Sequence, residues 1–353
     1  MSRRRQSVTI RHVAADAGVS LQTVSRVINK EAGVRPEMQQ RVQASIEKLG
    51  YVPSLAAQRM SGSRSYLILA LNDRERTISD WQKREGGDWV GQMMLGGCTA
   101  CAEHGYRMIV ELIDTNSANI ERELAGAIAA LQPDGAILTP PHSQNQDILD
   151  YLHKAGIKIA RIGSQTPGPG FCITMDDEGG ARRATEHLLT LGHRRIGFIA
   201  GPEDYELSAW RVAGWKAAMA AAGLPTDDLL VTGDFTYASG LEAARNLLDH
   251  ARPSAIIASN DQMAIASLAV VRGRGQSVPQ DLSIVSFDDT PIIRYATPPI
   301  TAVAQPIAAA TEKAARLIIA ACASNAKGDS SELEMANVAS DLVLRESTRA
   351  VKN

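Results

Sequence analysis

From residue 66 onward, short apolar runs alternate with longer stretches whose apolar residues recur every three to four positions. The runs are YLILALN (66–72), RMIVELI (107–113), GAILTP (135–140), IKIARIG (157–163), RIGFIAG (195–201), SAIIASND (254–261) and LSIVSFDD (282–289). Amphipathic patterns lie between them, for example over 119–131, 179–191, 208–222 and 238–250. This strand–helix alternation predicts parallel sheets with helices on both faces. It continues for more residues than one sheet usually takes. Two doubly wound α/β lobes facing across a cleft are expected.

The first fifty residues carry only the helical period. Thr9 can cap a first helix with Ile10, Val13, Ala14 and Ala17 on one apolar face. Gly18 supplies the backbone conformation that a helix end and tight turn need. Ser20 can cap a second helix, 21–29, whose Val24, Val27 and Ile28 pack back on the first. Two helices this short need a third, and 36–49 supplies it with Met38, Val42, Ile46 and Leu49 at helical spacing. The second helix leaves Leu21, Gln22, Thr23, Ser25, Arg26 and Asn29 outside, a polar face suited to base edges and phosphates. The pattern is that of an all-α helix-turn-helix headpiece. An ordinary helical hairpin would share the period but give no reason for the polar face.

Charge divides the chain in the same place. Residues 1–64 hold 11 Lys+Arg against 4 Asp+Glu, a net of +7, while the rest carries −9. A basic headpiece on an acidic body binds polyanions through the headpiece alone. Arg3, Arg4 and Arg5 read as a phosphate-seeking arm, since no apolar run follows them to make a targeting signal. No stretch has the apolar length of a membrane span, and a cytoplasmic protein is expected. Between the two parts, Ser54 can cap a short helix from Leu55 to Met60 that has no core of its own. Leu55, Ala56, Ala57 and Met60 are candidates for burial on DNA, where apolar side chains wedge open base steps. The alternative is a connector with one apolar side. Cys98 and Cys101 form a lone C-x-x-C with no second pair and no partnered histidines, so structural cysteines and no metal are expected.

The residues VAADAGVSLQTVSRVIN, LGYVPSLAAQRM, HLLTLGHRRIGFIAGP (187–202), RVAGW (211–215), SNDQMAIA (259–266) and VSFDDT (285–290) occur together and in order. Over nearly its whole length the chain resembles the lactose-repressor (LacI/GalR) family of bacterial transcription regulators. The resemblance implies a headpiece at 1–50, a hinge helix and linker at 51–63, and a periplasmic-binding-protein-like core at 64–353. Three crossovers near 174, 303 and 332 would then divide the core. The N-lobe would hold about 64–174 and 304–331, and the C-lobe about 175–303 and 332–347. In open parallel sheets ligands sit beyond the carboxyl ends of the strands. Arg211, Asn260 and Asp288 belong to that rim and match the family's effector-contacting positions. A guanidinium, a carboxamide and a carboxylate together suit vicinal sugar hydroxyls. Trp210, Phe235 and Trp89 are candidates to stack on a sugar ring. Alternatively, Arg211 and Asp288 bridge the lobe structurally.

Three departures from the family stand out. Residues 73–89 form a longer and more charged loop than usual at the cleft. Arg161 stands where some sugar-responsive relatives carry an acid, so it either faces the ligand or pairs with Asp176 or Asp177. Met60 stands at a hinge position that is commonly Leu.

The resemblance implies two chains pairing on a pseudo-palindromic double-stranded operator. Leu21, Gln22 and Arg26 would read base edges, and Ser20, Thr23, Ser25 and Asn29 would hold phosphates, with Thr9 grouped among the DNA-facing residues. A mono- or disaccharide between the lobes would control DNA affinity, in either the inducing or the corepressing sense, as purine-responsive relatives show. Only six residues follow the last expected strand, too few for a tetramerising heptad helix, so a homodimer is expected. No hydrolase elbow, phosphate loop or zinc-protease motif is present, and no cofactor is expected. A sugar-modifying enzyme would leave the basic headpiece unexplained, and a free-standing periplasmic binding protein would be expected to carry a signal peptide.

Overall fold

Helices α1 (Ile10–Ala17), α2 (Leu21–Ile28) and α3 (Pro36–Leu49) belong to the first of two units, Met1–Tyr66 and Leu67–Asn353. The computed structural model describes residues 8–28, 33–51, 64–115, 117, 119–324 and 335–351. Asn29, Leu55, Ala56, Ala57, Met60 and the three arginines at 3–5 lie outside the described residues. Gly18 closes α1 at φ +63°, its N–H donating to the Ala14 carbonyl. The chain turns, and Ser20 Oγ accepts from Thr23 N at 3.1 Å to open α2. Val13, Ala14, Ala17, Val24, Val42 and Tyr51 form the core, with Val27, Ile28, Ile46 and Leu49 packed against it. Met38 does not join them. It is 36% exposed, because burial along α3 begins only at Val42. Arg41 donates to the Ala17 carbonyl at 2.5 Å, satisfying one of the open acceptors at the end of α1.

Among its described residues the second unit holds two six-stranded sheets. The first has the order β11-β5-β4-β3-β1-β2 and the second β12-β10-β9-β8-β6-β7. In chain order the strands are β1 (Leu67–Asp73), β2 (Arg107–Ile113), β3 (Gly135–Leu138), β4 (Lys158–Ile162), β5 (Phe171–Thr174) and β6 (Ile196–Ala200). They continue with β7 (Leu230–Thr232), β8 (Ala255–Ala258), β9 (Ser283–Asp288), β10 (Thr301–Ala304), β11 (Met335–Asn337) and β12 (Asp341–Val343). Every pairing is parallel except β10 with β12. The central strands are buried along their length, as continuous apolar runs require when helices cover both faces. Those helices are α4 (Arg74–Lys83), α5 (Gly87–Glu103), α6 (Ile120–Leu131), α7 (Gln146–Lys154) and α8 (Asp177–Thr190). They are followed by α9 (Glu206–Ala221), α10 (Tyr237–Asn246), α11 (Asp261–Gly273), α12 (Pro291–Arg294) and α13 (Ile307–Ala323).

The chain passes between lobes after β5, after β10 and between β11 and β12. The third crossing corrects the boundary expected near 332. Met335–Asn337 pair with Cys172–Thr174 in the first sheet, so the chain leaves that lobe only at 338–340. Thr174 Oγ1 donates to Asn337 Oδ1 at 3.0 Å, fastening two of the crossing segments together.

Two glycines permit close helix packing. A Cβ on Gly96 of α5 would lie 1.9 Å from the Ala308 carbonyl oxygen of α13, and one on Gly214 of α9 would lie 2.0 Å from the Glu178 carbonyl oxygen of α8. Among the described residues nothing lies within 4 Å of a would-be Cβ on Gly126 of α6. Gly96→Val should therefore cost stability at the upper end of the roughly 1–3 kcal/mol of overpacking, while Gly126→Ala should add about 0.4–1 kcal/mol. Denaturant unfolding of the two variants checks both signs.

Candidate functional site

On α2 the outward residues are those the sequence pattern selected. Gln22 and Arg26 are exposed, Thr23 and Ser25 half-buried, and Leu21 keeps 45% of its surface exposed beside them. Ser20 and Thr23 are engaged with each other, their hydroxyls 2.9 Å apart at the helix start. Thr9 precedes α1, its N–H donating to His12 Nδ1 at 3.1 Å. The first turn of α2 thus presents backbone donors and short polar side chains together, an arrangement that suits phosphate as well as base edges.

The second candidate site is the cleft between the two lobes of the core. It opens at the carboxyl ends of the strands, where parallel α/β sheets place ligands, over about 1010 Å³ of space continuous with solvent. Arg211, Phe235, Asn260 and Asp288 line it together, as does Trp89. Arg211 is the best held of them. Its Nε donates to Asp177 Oδ1 at 2.8 Å, NH1 donates to the Ser259 carbonyl, and the guanidinium lies 4.6 Å from the Phe287 ring centre. Burial pushes the Asp177 carboxyl up, and Arg211 beside it opposes that shift. Asn260 caps α11, its Oδ1 accepting from Met263 N at 3.0 Å while Nδ2 donates to the Phe235 carbonyl at 2.7 Å. Phe235 and Asp288 both adopt left-handed backbone, at φ +70° and +92°, and Asp289 follows at +63°. Such strain in non-glycine residues clusters where geometry serves a ligand.

Trp210 and Arg161 are not among the cleft-lining residues. Trp210 is half-buried on α9, one position from Arg211 and so turned about 100° away from it around the helix. Arg161 is fully buried inside the first lobe, donating to the Ser143 carbonyl at 2.7 Å and to Ser164 Oγ at 2.9 Å. Neither proposed acidic partner is available to it. Asp176 pairs with Arg183 and Asp177 with Arg211, both at 2.8 Å. The expected loop at 73–89 is instead helix α4 followed by the start of α5. Asp73 caps α4 by accepting from Arg76 N at 2.9 Å, and Arg76 and Asp80 stand one turn apart on it.

That helix contributes residues the sequence reading missed. Arg76, Asp80 and Trp81 line the cleft, joined by Glu85, Tyr205 and Gln305. Arg76 reaches the opposite lobe, donating to Tyr205 Oη at 3.2 Å with its guanidinium 5.2 Å from both the Tyr205 and Phe235 ring centres. The charged, capped segment directly after the first strand was the available signal. Glu206 binds across the lobes, its carboxylate accepting from Ser164 Oγ, Gln165 N and Thr166 Oγ1 at 2.5, 2.8 and 2.5 Å. Elsewhere, burial pushes the Cys101 thiol up to about 12, which suppresses thiolate chemistry at that cysteine. Among the described residues no cluster of metal-ligating side chains occurs, and no helix is long and apolar enough to cross a membrane.

A helix-turn-helix on one unit and a ligand-sized cleft in the other define a ligand-controlled DNA-binding protein. Residues 9–54 match the model of bacterial regulatory proteins of the lacI family, and 185–348 match a periplasmic binding protein-like domain. The transcriptional regulator CelR of Thermobifida fusca is 36% identical over 90% of this chain and 92% of its own length. The ribose operon repressor of Escherichia coli K12 is 30% identical over 84% of this chain and 88% of its own. Among solved structures, a CelR–cellobiose complex superposes with a TM-score of 0.72 at 32% identity, covering 96% of this chain and 99% of that one. The lac repressor dimer bound to operator and the anti-inducer ONPF gives 0.76 at 25% identity over 98% and 100%. The chain belongs to the lacI family of bacterial transcription regulators. It is a DNA-binding regulator and not an enzyme.

One titration follows from the acidic wall of the cleft. Asp261 is buried, accepting from Ser286 Oγ at 2.5 Å and Thr290 N at 2.6 Å, and burial together with the nearby Asp288 pushes its carboxyl up. Burial also pushes Asp288 up. With both folded-state values raised, the folded core holds protons longer than the unfolded chain. Their stability contribution is complete at low pH and is lost as pH rises above the ordinary carboxylate range and through the raised values. Asp261→Asn should flatten that decline, read as the slope of unfolding free energy against pH.

Proposed function

We propose that this regulator is a cytoplasmic homodimeric repressor whose operator affinity is set by a sugar held between the core lobes. The observation that carries the reading is the meeting of Arg211, Asn260 and Asp288 with Trp89, Tyr205 and Phe235 around one cleft. Charged and amide groups grip hydroxyls while flat rings cover the apolar faces of a pyranose. Relatives support it: one solved neighbour is a complex with cellobiose, and another relative is a ribose operon repressor. Exposed apolar side chains on the core fit self-association, with Met94, Leu95 and Ile109 on one lobe and Tyr295 and Leu344 on the other exposed by 38–84%. The sugar acts by binding one arrangement of the two lobes more tightly than the other, which is the only way it can shift operator affinity.

On DNA, Leu21, Gln22 and Arg26 read base edges, and Ser20, Thr23 and Ser25 hold phosphates. Arg26→Ala should cost about 1–3 kcal/mol at the cognate operator and little on random duplex. Equal losses in a gel-shift comparison of the two duplexes would make Arg26 a phosphate contact.

For the cleft, Asp288→Ala is the cleaner test. Arg211→Ala would strand Asp177 without its partner, and breaking a buried pair that way costs about 3–5 kcal/mol of stability. Asp288→Ala should keep parental operator affinity without sugar and lose the response across a sugar titration. A variant that still responds like the parent would move the effector elsewhere.

A further inference from the structure

A second compartment, about 830 Å³ with the solvent space it opens to, adjoins the cleft. Gly86, Trp89, Asn260, Asp288 and Gln305 line both, so one ligand can reach through from the first to the second. Gln305, at the second crossover between β10 and α13, stands in the shared wall. It is only 8% exposed, yet neither its Oε1 nor its Nε2 has a hydrogen-bond partner among the described residues. A buried carboxamide left empty-handed on both sides is a costly arrangement unless a polar occupant meets it. Thr290 Oγ1, on the rim of the second compartment, is likewise buried without a partner.

The chemistry around Gln305 narrows what that occupant is. Asp88, Asp261, Asp288 and Asp289 surround the second compartment, and its guanidinium, Arg294, is engaged with Asp289 at 3.0 Å and with the Asp289 carbonyl at 2.8 Å. An anionic ligand would meet four acidic side chains, while the guanidinium in the lining is already engaged with one of them. A metal ion fares no better, because both Asp261 oxygens already accept hydrogen bonds and Asp289 is paired with Arg294 and Arg345. Hydroxyl groups suit the compartment. They donate to carboxylates and to Gln305 Oε1, and they accept from its Nε2.

Resting on the sugar reading of the cleft, we propose that the effector is an uncharged oligosaccharide of at least two rings. One ring lies among Arg211, Asn260 and Asp288, and the next lies past Trp89 in the second compartment, with Gln305 bonded at the junction.

Gln92 and Gln262 line only the second compartment and so isolate its contribution. The test is calorimetric titration of the full-length protein and its Gln92→Ala/Gln262→Ala variant with glucose, cellobiose, maltose and glucose 6-phosphate, with operator affinity measured alongside. Each hydrogen bond to a second ring is worth about a threefold to tenfold change in affinity, so at least one disaccharide should bind roughly tenfold or more tightly than glucose. The variant should lose most of that margin while its glucose affinity stays within about twofold. It should also unfold at the parental temperature. Disaccharides binding no tighter than glucose, or a variant weakened equally for all sugars, would overturn the two-ring inference while leaving the cleft a sugar site. Preferential binding of glucose 6-phosphate would overturn the uncharged class. If none of the four binds or alters operator affinity, the sugar reading falls and the inference falls with it.

Discussion

The buried pair between Asp177 and Arg211 is the constraint on which the ligand-facing end of the core depends. Asp177 opens α8 immediately after the first crossover, and Arg211 lies on α9. Their 2.8 Å contact, the bond from Arg211 to the end of β8 and the ring of Phe287 on β9 tie four elements to one guanidinium. Two charges this deeply desolvated stabilise little on balance, and apolar residues of equal volume could hold the lobe as well. What apolar residues could not do is present an oriented set of N–H donors at the floor of a cleft. The pair is better explained by placement than by stability, and the strained backbone at Phe235, Asp288 and Asp289 belongs to the same economy.

Opposite that fixed floor stands a wall built differently. Helix α4 brings Arg76, Asp80 and Trp81 to the cleft from the other lobe, and Arg76 spans the gap to Tyr205 and Phe235. Aromatic faces and a guanidinium there form a surface that a sugar ring can replace contact for contact. Glu206 adds three hydrogen bonds between the lobes. One side of the site is therefore rigid because it is buried, and the other is held by contacts that a ligand or solvent can exchange.

Much of this was legible in the residues. Apolar runs marked seven of the strands, and in β1, β3, β6 and β8 burial on both faces leaves no room for alternation. The three-residue strands β7, β11 and β12 carry too little pattern to be seen, which is why the third crossover was placed too early. Arg211, Asn260 and Asp288 could be assigned to the cleft because strand ends are visible and ligands gather there. Arg161 also ends a strand, but its side chain turns inward to the Ser143 carbonyl, and orientation at a strand end is decided by tertiary packing. The segment 73–89 was dense in charge and read as a loop. Its helix depends on a cap from Asp73, whose second oxygen is held from outside by Thr115, a partner 42 residues away. Gln305 gave no signal at all, since an orphaned amide exists only once its surroundings are known.

The three crossovers have a mechanical consequence. Two bodies joined by one strand can twist, slide and bend, whereas three neighbouring strands, two of them pinned by the Thr174–Asn337 bond, resist all but rotation about the line they share. The core then has a single soft coordinate, and anything lodged in the cleft can report only one quantity, the angle of the door. A molecule that grips both leaves biases that angle, and one that touches a single leaf is silent however tightly it binds.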